Sequence, residues 1–147
     1  MAFAQRRGER RGSREERLKP IDQISADAVG EAIRIHREIG PGLLESVYEM
    51  VLAARLEKLG YRVERQVPVD VELEGLSFPA AFRVDILVDG RLVLEIKSVE
   101  RLNKAHAKQV ITYLRLLKQP VGLLLNFSGA IMKEGIRRLV NDYRPEG

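Results

Sequence analysis

Apolar residues recur at helical spacing in two stretches near the start of the chain. The first predicts a helix that begins after Ser25, a residue type that favours the N-cap position, and ends at the Gly-Pro-Gly turn at 40–42. The second predicts a helix over residues 43–59, ended by Gly60. Its expected apolar positions are Leu44, Val47, Val51 and Ala54.

From Tyr61 the period of the apolar residues changes from 3.6 to 2, which is typical of strands. The alternation predicts strands over residues 61–73, 80–88 and 91–98. Proline cannot donate a ladder hydrogen bond, so Pro68 indicates an edge or a bulge in the first of them.

The C-terminal part of the chain returns to a mixed pattern. A third helix is predicted over residues 104–118, and a wholly apolar strand, buried on both faces, over 120–126. Ser128 is then expected to cap a last helix that carries Ile131, Ile136, Leu139 and Val140. The resulting order, α-α-β-β-β-α-β-α, predicts an α/β fold.

The turn between the second and third strands decides which side chains meet. Phe82, Val84, Ile86 and Val88 alternate along one strand, and Leu92, Leu94 and Ile96 along the next. A two-residue turn at 89–90 would place the two apolar sets on different faces, whereas a three-residue loop with Gly90 at positive φ keeps them together. We therefore predict the three-residue loop, and with it Asp85, Glu95 and Lys97 on the opposite face.

Two carboxylates and an ammonium group would thus converge on one patch. Two like charges ~5 Å apart repel by about 3 kcal/mol at an effective dielectric near 20, so a cation between them, or a retained proton, would stabilise the pair. Oxygen ligands of this kind suit Mg²⁺ or Mn²⁺. Lys97 is placed to orient or deprotonate a water, or to stabilise a charged transition state. The simpler alternative is a solvated strand face on which Glu and Lys alternate.

Composition excludes several classes of site. The 147 residues include no cysteine, which rules out disulfides, thiolate metal sites and cysteine nucleophiles. His36 and His106 are too far apart in sequence to suggest a histidine-rich metal site. No apolar run reaches the ~18 residues of a membrane span, and no secretory signal is visible, so we expect a cytoplasmic protein without a membrane partner.

The positive charge is concentrated at the N-terminus. Residues 1–20 carry seven basic and three acidic side chains, which accounts for the whole net charge of +4. This composition predicts a disordered basic tail at 1–20, followed by a single domain at 21–147. The tail is either a solvated extension or a source of nonspecific attraction to nucleic acid.

Four separate segments match one known family in order. They are Gly42-x-x-Glu45-x-x-Tyr48, Asp85, Glu95-x-Lys97 and Gln109-x-x-x-Tyr113. This set resembles the GxxExxY protein family, a branch of the PD-(D/E)XK nuclease superfamily, over roughly residues 25–142. One departure is that the superfamily's usual Pro-Asp is replaced here by Val84-Asp85.

The resemblance implies a restriction-endonuclease-like core, with a central mixed β-sheet flanked by helices. It also implies that Asp85, Glu95 and the backbone carbonyl of Ile96 bind Mg²⁺ or Mn²⁺, and that Lys97 assists the attacking water. The activity expected from it is metal-dependent hydrolysis of DNA, or of RNA. The competing hypothesis is a non-catalytic nucleic-acid-binding or protein-interaction module that retains the fold.

The same resemblance assigns roles to residues outside the hairpin. Glu45 would bind metal through water or bind a second metal, and Gln109 and Tyr113 would position a phosphate or the nucleic-acid strand. His106, Gln109 and Tyr113 are spaced to share one helix face, although Gln109 and Tyr113 also suit a plain surface pair. Small members of this fold class often pair, which makes a homodimer the expected assembly.

Several of these residues have structural alternatives. Glu45 also suits the positive N-terminus of its helix, and Tyr48 suits core packing with a polar tip. His36 is expected to be a hydrogen-bonding residue of the first helix. Arg83 and Arg91 either bind phosphate or pair with acidic neighbours.

Overall fold

The computed structural model describes residues 4–5 and 18–145. Its helices are α1 (Ile21–Ile39), α2 (Glu45–Lys58) and α3 (Lys104–Leu117). Its strands are β1 (Ala4–Gln5), β2 (Val63–Leu73), β3 (Leu76–Val88), β4 (Leu92–Lys97), β5 (Val121–Asn126) and β6 (Ile136–Val140). Within the described ranges, no helix is long and apolar enough to cross a membrane. Apart from Ala4–Gln5 and residues 18–20, the predicted tail lies outside the described residues.

The six strands form one sheet, in which they lie in chain order from β1 to β6. All neighbours are antiparallel except β4 and β5, which are parallel and joined through α3. A parallel pair requires such a crossover, and a helix usually supplies it. This arrangement confirms the predicted α/β fold with a central mixed sheet flanked by helices.

Each face of the sheet is covered by its own apolar cluster. The first cluster joins α1 and α2 to one face and includes Leu92, Leu94 and Ile96 of β4. The second joins α3 to the other face, where Val93 of β4 lies. Since β4 is buried on both faces from Leu92 to Ile96, the polar side chain of Glu95 is removed from bulk water.

The predicted last helix is wrong. Residues 132–135 form a short 3-10 helix, and the next segment is β6, which pairs antiparallel with β5. Ile136 packs against the first cluster and Leu139 against the second, so these apolar residues serve the two faces of a strand. Gly135 allows the close approach, because a Cβ there would lie 2.3 Å from the Asn126 carbonyl oxygen.

Two details of the first helices also differ from prediction. Helix α1 begins at Ile21, so Ser25 lies inside it and is buried rather than capping it. Helix α2 turns a different face to the core: Leu44, just before it, is 74% exposed, and Val47 is exposed as well. The buried stripe is instead Tyr48, Glu49, Leu52, Ala53 and Leu56.

The turn between β3 and β4 has the predicted odd length. Val88 pairs with Leu92 and Ile86 with Leu94, which leaves three residues, 89–91, in the loop. Gly90 has φ +67°, the left-handed conformation that glycine adopts without steric cost. The three-residue loop and its effect on the β4 side chains are therefore confirmed.

One part of that prediction fails, because strands β2 and β3 change faces midway. Val84 was expected beside Ile86, but it packs in the second cluster while Ile86 packs in the first. Asp85 lies between them, and Gln66 lies at the corresponding position of β2, with φ +51°. The ladder between β2 and β3 keeps its register on either side of this point. Asp85 therefore sits where the strand crosses from one layer to the other.

Candidate functional site

The acidic side chains gather where β3 and β4 separate. The β3–β4 ladder ends at the Ile86–Leu94 pair. Beyond it, the Oδ2 atom of Asp85 accepts a hydrogen bond from the backbone N–H of Ile96 at 2.8 Å. A side chain thus satisfies a main-chain donor that the neighbouring strand leaves free.

Glu95 projects from β4 on the α3 side of the sheet and is only 6% exposed. Its Oε1 atom is buried and has no hydrogen-bond partner in the structure. Burial, followed by the negative charge of Asp85, raises the pKa of Glu95 to about 8, while Lys97 opposes the shift. The side chain is therefore costly to ionise without a cation beside it.

Asp85 shares this environment. Burial raises its pKa, the hydrogen bonds from Ile96 and Gln66 and the charge of Lys97 lower it, and Glu45 raises it. Lys97 and Glu45 affect the pKa values of both Asp85 and Glu95, in opposite directions. The hydrogen bond from the N–H of Ile96, the residue after Glu95, holds Asp85 against the same part of β4 as Glu95.

Among the described residues, Lys97 is the cation that forms an ion pair with Glu95. Its Nζ atom lies 3.9 Å from Glu95 Oε2, and its side chain is 20% exposed. That distance is too long for a hydrogen bond, so the ammonium group stabilises the carboxylate by charge alone. Its amine remains able to contact a water or a substrate.

Glu45 reaches this area from the first turn of α2. Its Oε2 atom accepts a hydrogen bond from the backbone N–H of Ser98 at 2.9 Å, just after β4 ends. It is exposed, and its charge raises the pKa values of both Asp85 and Glu95. Glu45 therefore lies at the solvent side of the carboxylate pair, at a helix N-terminus that also favours it.

The oxygen atoms gathered at this point suit a divalent cation that is held by few protein ligands. Lys97 O accepts from Phe127 N on the β5 side. Successive carbonyls of a strand point to opposite neighbours, so the carbonyl of Ile96 faces β3. Two carboxylates and one carbonyl, with the unpartnered oxygen of Glu95, suit Mg²⁺ or Mn²⁺, which keep several waters. Within the described ranges, no group of three or more His, Cys, Asp or Glu side chains is close enough to form a fuller site.

Gln109 and Tyr113 lie on the same side of the sheet. The Tyr113 ring stacks on Phe82 with centroids 4.2 Å apart. Burial and the charges of Glu95 and Asp85 raise the pKa of Tyr113, while a hydrogen bond with Gln109 lowers it. Tyr113 and Gln109 thus lie on the α3 side of the sheet, the side from which Glu95 projects.

An open groove of about 480 Å³ runs along α3 at this point. It is lined by Val71, Leu73, Phe78, Ala81, Phe82, Gln109, Thr112, Tyr113 and Leu116. None of these side chains is charged at neutral pH, and Gln109 and Thr112 supply its amide and hydroxyl groups. The groove is thus suited to a flat group that has polar edges, rather than to a phosphate.

Sequence reasoning missed Glu49 and Gln66. Glu49 is 5% exposed and lies one helical turn after Glu45. It accepts hydrogen bonds from Arg65 Nε at 3.0 Å and from the Gln66 amide at 2.7 Å. The same amide lies 3.3 Å from Asp85 Oδ1. A charged residue on the stripe that continues through Leu52 and Leu56 was the available signal for Glu49; nothing in the pattern marked Gln66.

Tyr48 and His36 have structural contacts. The Tyr48 hydroxyl donates to the Gly40 carbonyl at 2.6 Å, and its ring stacks on Phe127 at 4.4 Å. His36 Nε2 lies 2.7 Å from the Gly129 carbonyl oxygen, a hydrogen-bonding distance. Both residues are buried and tie the 40–42 turn and the segment after β5 to the body of the protein.

Of the three remaining candidates, His106 and Arg91 have structural contacts and Arg83 is exposed. His106 Nδ1 accepts from the backbone N–H of Asn103, which makes it part of the N-terminal cap of α3. Arg91 donates to the carbonyl oxygen of Lys19 at 2.6 Å, so it stabilises the chain before α1. Arg83 is exposed on β3, two residues before Asp85.

A family model described as the PD-(D/E)XK nuclease superfamily matches residues 22–139. That range contains every residue of the site described above. Neither the curated proteins nor the solved structures gave a match to the chain.

Proposed function

Because the chain belongs to the PD-(D/E)XK nuclease superfamily, we propose that it is a metal-dependent nuclease that hydrolyses phosphodiester bonds of DNA. The observation that carries this proposal is the buried, unpartnered Oε1 atom of Glu95 beside Asp85. A buried carboxylate oxygen without a partner is destabilising, and a divalent cation is the partner its chemistry suits. RNA is the second substrate class to test.

Asp85, Glu95 and the carbonyl of Ile96 would hold Mg²⁺ or Mn²⁺. When bound, such an ion polarises a phosphoryl oxygen and lowers the pKa of a water. Asp85 is oriented for this role by the N–H of Ile96, which fixes Oδ2. Glu95 is held in place because β4 is buried on both faces.

Lys97 would orient the attacking water or donate to a phosphate oxygen. Its amine lies 3.9 Å from Glu95 and makes no closer described ion pair, so it is not committed to a fixed partner. A positive charge held at the site stabilises the negative charge that develops on phosphate in the transition state. Glu45, at the solvent side, would act on the metal through water or on a second metal.

Gln109 and Tyr113 would position the nucleic acid. They form part of the uncharged groove on α3, which would accept a base while the phosphate reaches the carboxylates. Aromatic side chains bind unstacked bases in single-stranded nucleic acids. This supports a substrate that presents at least one unpaired nucleotide.

We also propose that the chain belongs to the GxxExxY branch, on the basis of Gly42, Glu45 and Tyr48. The Tyr48 contacts with the 40–42 turn and the Glu45 contact with Ser98 give two of these residues separate reasons to occur at that spacing. A homodimer and a cytoplasmic location stay predictions.

The alternative is a non-catalytic nucleic-acid-binding or protein-interaction module that retains the fold. The charge balance favours it, since residues 21–147 carry 18 basic and 18 acidic side chains and no net positive charge. Nucleic-acid enzymes commonly have a basic surface. The retained Asp85, Glu95 and Lys97 favour catalysis.

A substrate panel tests the proposal. Labelled single- and double-stranded DNA and RNA are incubated with the purified full chain in Mg²⁺, Mn²⁺, Ca²⁺ or a chelator. We expect cleavage in Mg²⁺ or Mn²⁺ that Lys97→Met abolishes. Absence of cleavage in every combination, with tight oligonucleotide binding, would instead support the non-catalytic module. Cleavage by the Lys97→Met protein would indicate a contaminating nuclease.

A further inference from the structure

Gln66 has an unusual backbone conformation for its place in the fold. It lies inside β2, yet its φ is +51°, in the left-handed region that favours glycine. Strained conformations of this kind persist only where the surroundings hold them, and they cluster at functional sites. In the same strand pair, Gln66 also marks the point at which β2 and β3 change faces.

The Gln66 side chain bridges two carboxylates. Its amide nitrogen donates to Glu49 Oε1 at 2.7 Å and to Asp85 Oδ1 at 3.3 Å. One carboxylate belongs to helix α2 and is nearly fully buried; the other belongs to the candidate metal site. The left-handed backbone at Gln66 thus accompanies a side chain that reaches both.

Glu49 is a firm anchor for this bridge. Its second oxygen, Oε2, contacts both Nε and Nη2 of Arg65, at 3.0 and 2.9 Å. The guanidinium group is thereby paired with Glu49 rather than with Asp85. Asp85 receives a neutral amide instead, which orients it without cancelling its negative charge.

We propose that Gln66 is a positioning residue, which uses Glu49 as its anchor to orient Asp85 toward the metal. The proposal rests on the proposed function, because it assigns Asp85 the role of metal ligand. Groups that hydrogen-bond to metal ligands typically change metal affinity or activity by about 10- to 100-fold when they are removed. The strained backbone is then the cost of bringing the amide between the two carboxylates.

Gln66→Gly separates this role from a purely structural one. Glycine adopts positive φ without strain, and this gain offsets part of the loss of the hydrogen bond to buried Glu49, so the variant is expected to fold and to melt close to the wild type. Removal of the amide is expected to weaken Mn²⁺ binding by tenfold or more, measured by titration calorimetry on the full chain. If Gln66 were merely structural, Mn²⁺ affinity would stay unchanged whatever happened to the melting temperature.

Ala80→Gly is the matched control. Ala80 has φ +50° in the same hairpin but contacts Asp70 through its backbone, away from the carboxylate pair. It should reproduce the relief of strain and leave Mn²⁺ affinity as in the wild type. Gln66→Lys, which places a cation beside Asp85, should bind Mn²⁺ more weakly than Gln66→Gly.

The outcomes distinguish the two proposals. If wild type binds Mn²⁺ and cleaves nucleic acid while Gln66→Gly binds Mn²⁺ equally well, the role of Gln66 is refuted and the nuclease stands. An equal loss of affinity in Ala80→Gly would also refute it, since the effect would then belong to hairpin strain. If the wild type neither binds Mn²⁺ nor cleaves any substrate, the proposed function fails and this role fails with it.

Discussion

The Asp85 carboxylate takes the backbone N–H of Ile96 as a hydrogen-bond donor, at 2.8 Å, where β3 and β4 part. In a continued ladder, that N–H would bond to a carbonyl of β3. Asp85 therefore has two duties: one oxygen satisfies the main chain, while the other faces the Gln66 amide. A substitution at this position has to be chosen with both duties in mind.

Asp85→Asn is expected to separate activity from stability. The amide oxygen still accepts from Ile96, but the negative charge needed to hold a cation is lost, and so is the long hydrogen bond from the Gln66 amide. We expect cleavage to fall by at least ~100-fold. The free energy of unfolding should stay within ~1 kcal/mol of wild type, because burial already disfavours the ionised carboxylate. Asp85→Ala should in addition destabilise the fold by about 1–3 kcal/mol, since the Ile96 N–H would lose its acceptor.

Asp70→Asn provides the control for Asp85→Asn. Asp70 lies in the same hairpin and also accepts a backbone N–H, that of Ala80, at 2.7 Å, but it is exposed. Its substitution should leave the cleavage rate unchanged. Cleavage is measured on the same substrate for both variants, and stability is measured by urea unfolding. If Asp85→Asn cleaved at the wild-type rate, Asp85 would not be a metal ligand.

Glu95 predicts a pH dependence of stability in the metal-free protein. Its pKa is about 8 when folded, against an ordinary value of 4.5. Between these values the folded state binds more protons than the unfolded state, so the free energy of unfolding falls as pH rises from about 4.5 and levels off above about 8. The measurement is the melting temperature in chelator from pH 5 to 9.

Glu95→Gln isolates this contribution from that of other titrating groups. The variant cannot ionise, so its melting temperature should exceed that of the wild type at pH 8 to 9, and the difference should shrink toward pH 5. A difference that is constant across this range would show that Glu95 ionises normally in the folded protein.

The β4 side of the site could be predicted from sequence. Alternation along a strand fixes which side chains share a face, and only a three-residue loop aligned Leu92, Leu94 and Ile96 with the apolar residues before the turn. Glu95 and Lys97 then had to lie opposite, where the structure shows them in contact. The local pattern was sufficient because Glu95 and Lys97 lie on the same short strand.

The β3 side could not be predicted in the same way. Val84 and Ile86 lie in different clusters because the strand pair changes faces at Gln66 and Asp85, and hydropathy does not encode a positive φ. Similarly, Ile136 and Leu139 are compatible with one helix face or with two strand faces. Pairing with β5 makes the segment a strand, and the spacing of apolar residues within the segment carries no information about that pairing.

Tyr48→Phe tests the structural interpretation of the tyrosine. Its hydroxyl donates to the Gly40 carbonyl at 2.6 Å, and the Leu43 N–H lies 3.2 Å from it, so its removal leaves polar groups of the turn unpaired. We expect a loss of about 1–3 kcal/mol in the free energy of unfolding, measured with urea. The cleavage rate of the folded fraction should be unchanged; a large loss of rate at full stability would instead indicate a role in catalysis.

Gln109→Leu tests whether α3 holds the substrate. The substitution keeps the approximate size of the side chain but removes its amide, which lines the groove and hydrogen-bonds with Tyr113. One lost hydrogen bond corresponds to about 0.5–1.5 kcal/mol, so we expect KM for a single-stranded oligonucleotide to rise by about 2- to 12-fold at nearly constant kcat. Mn²⁺ affinity should not change, because Gln109 is not among the candidate ligands. Gln119→Leu makes the same replacement after the end of α3, where the amide donates to the Leu117 carbonyl at 3.5 Å, and should leave KM unaltered. If kcat falls and KM does not, Gln109 acts on the transition state, and the groove would have to be reassigned from substrate binding to catalysis.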